Sequence, residues 1–421
     1  MSEYHIIGGR RLSGQLSIYG GKNAVLPILA ATVLNRGISV IHNCPMISDT
    51  LVAINILKAI GAEVKTDGNS ITVDSSKVDN LTIPDNFVRE MRSSIIFLGG
   101  MLGRFGKVRI AYPGGCELGT RPIDLHLSGL RQLGAEVTEG GELVSAEAKR
   151  LIGARIHLNF PSVGATENLM LAAVLAKGQT IISNAAKEPE IIDLQKFLRA
   201  MGAKVSGAGT DIITIDGVSI QDLHEAEHKT MPDRIVAGTY LCAAAVTGGE
   251  LLLDNIIPEH LHPITSKLTE TGCDIKYDGS SVYLKAPEKL NPIERLRTHP
   301  HPGFPTDAQP QFMALLAHAQ GMSIVEEKLF EARNKHIPEL IRMGADIVLL
   351  EDGTTSIIRG VKKLKGSNVV CKDLRGGAAL IIAGLAAEGN TIVKNSSFVE
   401  RGYVRIEEDL RKIGAGILHV K

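Results

Sequence analysis

A glycine-rich segment between Pro113 and Asp124 gathers a thiol, a guanidinium and two carboxylates within a few residues. Cys116 directly follows two glycines, and Arg121 lies a few residues further on. A thiol beside cationic groups can donate a proton or, as a thiolate, act as a nucleophile. Because glycine permits many backbone conformations, we expect a mobile loop that closes over a reactant. The alternative is a buried core cysteine, for which this polar, glycine-rich setting is unusual.

This segment leads into a predicted helix. Pro122 suits the first turn of a helix, and Ile123, Leu127 and Leu130 recur at helical spacing. The N-terminus of a helix favours anions, because its backbone N–H groups are unpaired and its dipole is positive there. The pattern therefore predicts that the thiol and the guanidinium are presented where an anionic reactant would bind.

Composition argues against several classes of protein. The chain has 421 residues, with 46 Lys and Arg balanced by 46 Asp and Glu. This balance argues against a nucleic-acid or membrane-surface protein, which needs a basic excess. The length exceeds what one ordinary core supports, so two domains are expected. No apolar run reaches the roughly 20 residues of a membrane span, and the N-terminus lacks the pattern of a signal peptide.

Cysteine and histidine usage indicates neither disulfides nor a metal. The histidines, including His299, His301 and His336, show no ligand spacing. We therefore expect free thiols, a cytoplasmic location and no metal site. The five cysteines form no CxxC pair and are scattered along the chain: Cys44, Cys116, Cys242, Cys273 and Cys371.

A short pattern recurs six times along the chain. An apolar residue (a threonine in one copy) is followed by a glycine, a small residue and a predicted strand. This period is longer than that of solenoid repeats, so each copy is predicted to be a small α/β module. Each glycine is interpreted as the C-cap of an amphipathic helix. The glycines follow one another at intervals of 73, 68, 70, 72 and 70 residues: Gly61, Gly134, Gly202, Gly272, Gly344 and Gly414.

Each repeat also contains one predicted helix that is apolar nearly all round, and such a helix must be buried. We predict an α/β fold of two inside-out, barrel-like domains, each of three repeats, with these helices inside and the strands and amphipathic helices outside. A helix-covered open sheet is the alternative, but its strands should be apolar runs, and these are half polar. The repeat alone places the domain boundary near residue 230. The six apolar helices are predicted over residues 24–31, 94–102, 168–176, 235–246, 312–319 and 378–387.

Several segments together resemble the UDP-N-acetylglucosamine enolpyruvyl transferase family over essentially the whole chain. The resemblance implies domains of residues 22–229 and of 1–21 with 230–421, because the family's N-terminal strand crosses into the second domain. It also implies an active-site cleft between the domains. The segments are specific only in combination: Gly21-Lys22-Asn23-Ala24, Pro113-Gly114-Gly115-Cys116, Arg121-Pro122-Ile123-Asp124, Ser162-Val163-Gly164-Ala165-Thr166-Glu167-Asn168, Gly303-Phe304-Pro305-Thr306-Asp307 and Asp373-Leu374-Arg375.

The activity implied by the resemblance is transfer of the enolpyruvyl group of phosphoenolpyruvate to the 3-hydroxyl of UDP-N-acetylglucosamine. Phosphate is released by addition and then elimination through a tetrahedral ketal. The reaction is the first committed step of peptidoglycan biosynthesis, and no metal or organic cofactor is implied. The implied partners are these two small molecules, without nucleic acid or membrane, for a monomer or weak homo-oligomer.

Four residues match the family's catalytic positions. Cys116 is implied to be the general acid and the site alkylated by the epoxide fosfomycin, and Asp307 is implied to be the base that faces the sugar hydroxyl. The structural alternative for Asp307 is a helix N-cap, since Thr306-Asp307 precedes an apolar helix. Lys22 and Arg401, with Arg121, match positions that hold the phosphate of the donor.

Further residues match substrate-binding positions. Arg333 and Arg375 are implied to lie near the carboxylate of phosphoenolpyruvate, and Arg92 is implied to support the loop and cleft. Solvated surface charge is the alternative for any single arginine, and an ordinary cap and turn is the alternative for Ser162 and Gly164. The nucleotide-sugar is implied to lie against Asn23, Arg121, Pro122, Ile123, Asp124, Leu125, Ser162, Val163, Gly164 and Asp307, with backbone N–H groups beside its diphosphate.

Three other functions stay open on the sequence alone. The sister enzyme that acts on shikimate 3-phosphate shares the chemistry, but it lacks the loop cysteine and has Lys-Ser where this chain has Lys22-Asn23. A non-catalytic, regulatory binder of UDP-sugars would not need Cys116 and Asp307. A nucleic-acid enzyme on a related repeat fold would need a basic stripe, which the chain lacks.

Overall fold

The computed structural model describes residues 2–113 and 122–421. These residues fall into two compact units by their internal contacts. The first unit comprises residues 20–113 and 122–231, and the second comprises 2–19 and 232–421. Each unit has its own hydrophobic core of buried aliphatic side chains.

The helices of the first unit are short and alternate with strands. They are α1 (Lys22–Ala31), α2 (Ser48–Ala59), α3 (Asp85–Glu90), α4 (Phe97–Phe105), α5 (Asp124–Gln132), α6 (Val163–Ala173) and α7 (Pro189–Ala200). Those of the second unit are α8 (Arg234–Val246), α9 (Pro258–Glu270), α10 (Gln309–Leu316), α11 (Ile337–Arg342), α12 (Leu374–Ala386), α13 (Ser397–Glu400) and α14 (Ile406–Lys412). Single 3-10 turns lie at Thr32–Leu34, Arg92–Ile96, Ile220–Asp222, Thr306–Ala308 and Arg333–His336.

The strands of the described chain are all five residues long or shorter. In chain order they begin with β1 (Glu3–Ile7), β2 (Ser13–Ser17), β3 (Ile38–His42), β4 (Glu63–Asp67), β5 (Ser70–Asp74), β6 (Thr82–Ile83), β7 (Lys107–Ala111) and β8 (Glu136–Gly140). There follow β9 (Leu143–Glu147), β10 (Arg155–His157), β11 (Gln179–Ser183), β12 (Lys204–Ser206), β13 (Ile212–Asp216), β14 (Ala226–Lys229), β15 (Glu250–Asp254) and β16 (Asp274–Asp278). The last are β17 (Ser281–Lys285), β18 (Arg295–Arg297), β19 (Met322–Glu326), β20 (Asp346–Leu349), β21 (Thr355–Arg359), β22 (Asn368–Val370), β23 (Asn390–Lys394) and β24 (Gly416–Val420).

Six four-stranded sheets in the described chain share one pairing pattern. A central strand pairs parallel with one edge strand and antiparallel with the next strand, which in turn pairs antiparallel with the fourth. The N-terminal strands take part in this pattern in the second unit, where β1 lies between β23 and β24, and β2 pairs with β15. The chain therefore builds one module six times, three times in each unit.

The predicted apolar helices are confirmed as the buried ones, with shifts at their ends. They are α1, α4, α6, α8, α10 and α12, and every residue of α8 and α10 is buried. In the second unit α8, α10 and α12 contact one another, so the helices form the centre of that unit's core. The inside-out arrangement predicted from the absent polar faces is therefore confirmed.

The six repeat glycines adopt left-handed backbone conformations. Their φ angles lie between 90° and 102°, each just after an amphipathic helix. A side chain is strained at such angles, so glycine is needed where each helix turns into the next strand. The interpretation of these glycines as helix ends is confirmed.

A second repeated turn was not predicted. Asn43, Asn184, Asn255 and Asn395 follow the central strands of four sheets, and each has a φ between 53° and 58°. The first three donate from Nδ2 to a backbone carbonyl of the neighbouring edge segment, at 2.9, 2.6 and 2.5 Å. Asparagine tolerates this conformation better than most residues, so it closes the module here. The remaining two modules have Tyr112 and Glu327 at this position.

Candidate active site

Asp307 joins two buried arginines in the second unit. Arg333 donates from Nη2 to Asp307 Oδ1, and Arg375 donates from Nη2 to Oδ2 at 3.2 Å. The arginine side chains are 1% and 2% exposed, whereas the aspartate side chain is 27% exposed. The carboxylate is therefore held from behind by two cations and still reaches solvent.

The N-cap alternative for Asp307 is wrong. Asp307 lies inside the 3-10 turn Thr306–Ala308, and α10 begins after Ala308 without a side-chain cap. The Thr306 hydroxyl does not cap either, because it donates to Glu327 Oε2 at 3.0 Å. The two buried guanidinium groups compete more strongly for the Asp307 carboxylate than a helix end does.

Glu327 organises the loop that carries Arg333. Its Oε1 accepts from the backbone N–H groups of Leu329 and Phe330 at 2.9 and 3.1 Å. Arg333 Nε in turn donates to the carbonyl and hydroxyl oxygens of Thr306, both at 3.1 Å. The alternative of solvated surface charge is therefore wrong for Arg333, and it is wrong for the buried Arg375.

Arg375 is the second residue of the buried helix α12, and the N-cap of that helix positions it. Asp373 Oδ1 accepts from the backbone N–H groups of Arg375 and Gly376 at 3.1 and 2.9 Å. Within the described residues, Nε and Nη1 of Arg375 have no hydrogen-bond partner. Burial lowers the pKa of Arg375, but the opposing effects of Asp307 and, after it, Tyr403 are larger in sum. The pKa of Arg375 therefore lies well above its ordinary value. Arg375 is therefore a permanent buried cation with donors to offer an anion.

Arg401 lies directly after α13, and it is partly buried. Two residues later, the ring of Tyr403 lies under Arg375, with 5.5 Å between the ring centroid and Cζ. This distance is within the range of a cation–π contact. The segment after α13 thus brings one predicted anion-binding arginine into the same region of the second unit as Arg375.

In the first unit, Lys22 and Asn23 are the first two residues of α1. Lys22 Nζ lies 2.6 Å from Asp49 Oδ2, and the two side chains are 12% and 4% exposed. This short contact with a buried carboxylate fixes the position of the lysine side chain at the start of α1. Arg92 begins the 3-10 turn that precedes α4 and is partly buried.

Ser162 is an ordinary N-cap, as its structural alternative predicts. Its hydroxyl accepts from the backbone N–H of Ala165 at 3.3 Å, and Val163 and Gly164 are the first residues of α6. The backbone N–H groups of Val163 and Gly164, at the start of α6, are therefore the candidate donors to the diphosphate. The substrate-binding role of Ser162 itself stays a prediction.

A buried His–Asn pair supports the same end of α6, and sequence reasoning missed it. Asn168 Oδ1 accepts from Gly99 N at 2.5 Å, so its Nδ2 is the donor to His126 Nδ1, at 2.9 Å. A Cβ on Gly164 would lie 3.2 Å from the His126 ring, so the start of α6 packs directly on this histidine. His126 lies in α5, so α5 and α6 meet at this predicted binding segment.

Cys116, the predicted general acid, and Arg121, a predicted phosphate-binding residue, lie outside the described residues. Of the neighbouring predicted contacts, Pro122 is exposed, Ile123 is 1% exposed, and α5 begins two residues after the proline that was expected to start it. The remaining two are Asp124, exposed in the first turn of α5, and Leu125, which packs partly against the core.

A cavity of about 870 Å³ opens on the second unit, but it is a different place. Ile337, Ile341 and Leu349 give it a mainly apolar lining, and neither Asp307 nor Arg375 reaches it.

In the parts of the chain that are described, no group of three metal-ligating side chains occurs. No described helix combines the length and apolar character needed to cross a bilayer. The candidate active site is therefore the charged cluster of Asp307, Arg333 and Arg375 and not this cavity.

Sequence reasoning missed the residues that hold the predicted ones. Asp49, Thr306, Glu327 and Tyr403 fix Lys22, Arg333 and Arg375 in the contacts given above. One signal in the sequence could have found Glu327, since it occupies a position where four other modules have asparagine. The others come together only through contacts between distant segments.

Burial of His336, next to Arg333 in the chain, predicts acid sensitivity. Burial lowers the pKa of His336 to about 4, which Asp373 opposes and Arg333 reinforces. An unfolded histidine has a pKa near 6.5, so between these values the unfolded chain binds a proton that the folded chain does not. We expect the free energy of unfolding to fall as pH decreases through this window, by about 2 kcal/mol between pH 6.5 and 5.

Apparent melting temperatures at pH 7.5 and 5 test this expectation. His336→Gln should lose part of the acid-induced decrease, whereas the same change at the exposed His299 should leave it intact. An equal decrease in the parent and in His336→Gln would contradict the assignment.

Comparisons with known proteins agree over the whole chain. The family model for EPSP synthase (3-phosphoshikimate 1-carboxyvinyltransferase) matches residues 6–410. A UDP-N-acetylglucosamine 1-carboxyvinyltransferase 2 from Caldanaerobacter subterraneus subsp. tengcongensis is 50% identical over 420 residues, which covers 100% of both chains. A UDP-N-acetylglucosamine 1-carboxyvinyltransferase 1 from Symbiobacterium thermophilum is 50% identical over 423 residues, covering 99% of this chain and 95% of that protein.

Solved structures give the same result for the fold. The crystal structure of the enolpyruvyl transferase NikO from Streptomyces tendae superposes with a TM-score of 0.89 at 27% sequence identity. The match covers 100% of this chain and 99% of that one.

Proposed function

The chain belongs to the EPSP synthase family and, within it, to the UDP-N-acetylglucosamine 1-carboxyvinyltransferases, and we propose that it transfers the enolpyruvyl group of phosphoenolpyruvate to the 3-hydroxyl of UDP-N-acetylglucosamine. Phosphate is the second product, and the reaction commits the sugar to peptidoglycan. The observation that carries the choice of acceptor is the identity of 50% to full-length relatives of that name. The Asp307–Arg333–Arg375 cluster supports enolpyruvyl chemistry in general, because it combines a carboxylate with buried cations.

The proposed addition step uses one acid and one base. Asp307 takes the proton of the sugar hydroxyl as that oxygen bonds to C2 of phosphoenolpyruvate, and Cys116 gives a proton to the methylene carbon. In the elimination, a methyl proton returns to the Cys116 thiolate as the bond between C2 and the phosphate oxygen breaks, which restores the double bond and releases phosphate. The partial exposure of the Asp307 side chain supports its role, since a base must reach the reactant.

The donor carries a carboxylate and a phosphate, and the proposal gives each its own cations. Arg333 and Arg375 take the carboxylate, whereas Lys22, Arg121 and Arg401 take the phosphate. The Nε and Nη1 atoms of Arg375 support this assignment, because they are buried and have no described partner. A small multiply charged anion needs several such donors to leave water.

Asp307 competes with the donor for the same arginines. In the structure, each of its oxygens accepts from one of them. When the donor carboxylate binds these guanidinium groups, the bonds to Asp307 weaken, and its oxygens become better proton acceptors. Donor binding thereby activates the base.

The nucleotide-sugar is assigned to the first unit's binding segments. Its diphosphate would accept from the N–H groups at the start of α6, and its sugar would contact Asn23 and the segment from Pro122 to Leu125. Arg92 supports the loop that carries Cys116. The domain bounds 22–229 and 1–21 with 230–421, the interdomain cleft, the cytoplasmic location and the monomeric or weakly oligomeric state stay predictions of the sequence.

Phosphate release from phosphoenolpyruvate tests the function directly. We expect release that depends on UDP-N-acetylglucosamine and stops after preincubation with fosfomycin. Release with shikimate 3-phosphate instead would favour the sister reaction. Binding of UDP-N-acetylglucosamine without any phosphate release would favour a regulatory binder and contradict the proposal.

A further inference from the structure

A buried polar cluster lies beside Arg375 in the second unit. It consists of Thr239 from α8, Gln311 from α10 and Tyr403 from the segment before α14, and each is at most 2% exposed. Buried polar groups need partners, and these three side chains bond to one another, while Gln311 Oε1 has no partner among the described residues. The cluster therefore ties α8 and α10 to Tyr403, whose ring lies next to the guanidinium of Arg375.

The directions of these hydrogen bonds can be worked out. The Thr239 hydroxyl donates its only hydrogen to the carbonyl of Ile235, at 2.8 Å. Thr239 Oγ1 must then be the acceptor for the Tyr403 hydroxyl, at 2.8 Å, and for Gln311 Nε2, at 3.1 Å. Gln311 Nε2 also lies 3.3 Å from the Tyr403 oxygen, to which it donates.

The consequence concerns the phenol of Tyr403. Its hydrogen is committed to Thr239, so its oxygen acts as an acceptor only, and its ring is fixed in orientation. Arg375 Cζ lies 5.5 Å from the centroid of this ring. A fixed, electron-rich ring attracts a guanidinium by a cation–π contact, and the accepting phenol oxygen also helps to raise the pKa of Arg375. Nε and Nη1 of Arg375 stay available for an anion.

We infer that Tyr403 is a positioning residue, fixed by Thr239 and Gln311, that orients Arg375 for the carboxylate of the enolpyruvyl donor. The inference rests on the proposed function, since it takes the anion of Arg375 to be that carboxylate. Tyr403 acts through the arginine and not on the reacting atoms. Its loss should therefore weaken donor binding and leave the chemical step nearly intact.

Conservative variants separate positioning from packing. Tyr403→Phe keeps the ring and removes the anchoring hydroxyl, and Thr239→Val removes its acceptor. We expect each to raise the KM for phosphoenolpyruvate roughly tenfold, with kcat changed less than about threefold. The KM for UDP-N-acetylglucosamine should stay within about twofold of the parent. Thr239→Ser keeps the hydroxyl and should restore the parent KM for the donor.

The second unit offers a matched control pair. In α9, Thr265 donates to the carbonyl of Leu261 at 3.1 Å and bonds to the Tyr277 hydroxyl at 2.8 Å. The geometry copies that of Thr239 and Tyr403, but Tyr277 lies on the outer strand β16. Thr265→Val should lower the melting temperature as Thr239→Val does, and it should leave both KM values unchanged.

Four outcomes overturn the inference. Donor KM values within twofold of the parent in both Tyr403→Phe and Thr239→Val would remove the positioning role. Equal changes in Thr265→Val, or a Thr239→Ser variant as impaired as Thr239→Val, would reduce the cluster to general packing. The shift in melting temperature caused by phosphoenolpyruvate, measured in parallel, supports the inference if Tyr403→Phe weakens it. A parent that binds the donor but releases no phosphate refutes the proposed function alone, whereas a parent without this shift refutes both.

Discussion

Asp307→Asn is expected to reduce kcat by about 10²- to 10⁴-fold, the usual contribution of a general base. The same change should leave the affinity for phosphoenolpyruvate unchanged or increase it. The reason lies in the two guanidinium groups that Asp307 holds in the structure. An amide keeps the shape but not the charge, so the arginines lose an internal competitor for the donor carboxylate. Steady-state kinetics with both substrates varied and thermal-shift titration with phosphoenolpyruvate measure the two effects separately.

Asp409 provides the control for this experiment. It is a partly buried carboxylate of the same unit that accepts from the Tyr240 hydroxyl at 2.9 Å and pairs with Lys412 at 2.9 Å. Asp409→Asn should cost some stability and leave turnover nearly unchanged. If Asp307→Asn instead weakened donor binding as much as it lowered kcat, the carboxylate would be a structural counter-ion and not the base.

Cys116→Ala is expected to lower turnover by about 10²- to 10⁴-fold, because the methylene carbon loses its proton donor. Cys116→Asp should retain turnover, since a carboxylic acid can supply the same proton. It should also become resistant to fosfomycin, because a carboxylate is a much weaker nucleophile than a thiolate. Phosphate-release rates with and without fosfomycin, and intact-mass spectra, test both parts.

The other cysteines make the alkylation experiment selective. Burial raises the pKa of Cys44 to about 12 and also raises the pKa values of Cys242, Cys273 and Cys371. Thiols of this kind carry little thiolate at neutral pH and react slowly. Cys273→Ala should therefore remain fully alkylated, with one adduct per chain. An adduct on any of these four, or a Cys116→Asp variant as inactive as Cys116→Ala, would contradict the assignment.

The modular fold could be predicted from the sequence because its signals are local. Six apolar helices and six glycines at a regular interval follow from residue type and spacing alone. The shifts occur where distant contacts decide. A helix was expected over residues 94–102, but the chain forms a 3-10 turn at Arg92–Ile96 and then α4, where Asn168 binds the backbone N–H of Gly99.

The arrangement of the site depends on contacts that spacing does not encode. Asp307 could be recognised as a candidate base, but its neighbours in sequence suggested a helix cap. Its partners Arg333 and Arg375 come from two other segments, and only the folded chain brings them to the same carboxylate. For the same reason, no signal in the sequence indicated the buried polar cluster of Thr239, Gln311 and Tyr403 beside Arg375.

The left-handed asparagines close the central strand in four of the six modules of the described chain. Two junctions lack one, after β7 and after β19, and the first leads into the Cys116 segment while the second leads into the Arg333 loop. A junction without the asparagine tie can change in length while its sheet stays intact. We therefore expect length changes at these two junctions to disturb the sheets less than length changes at the four asparagine turns.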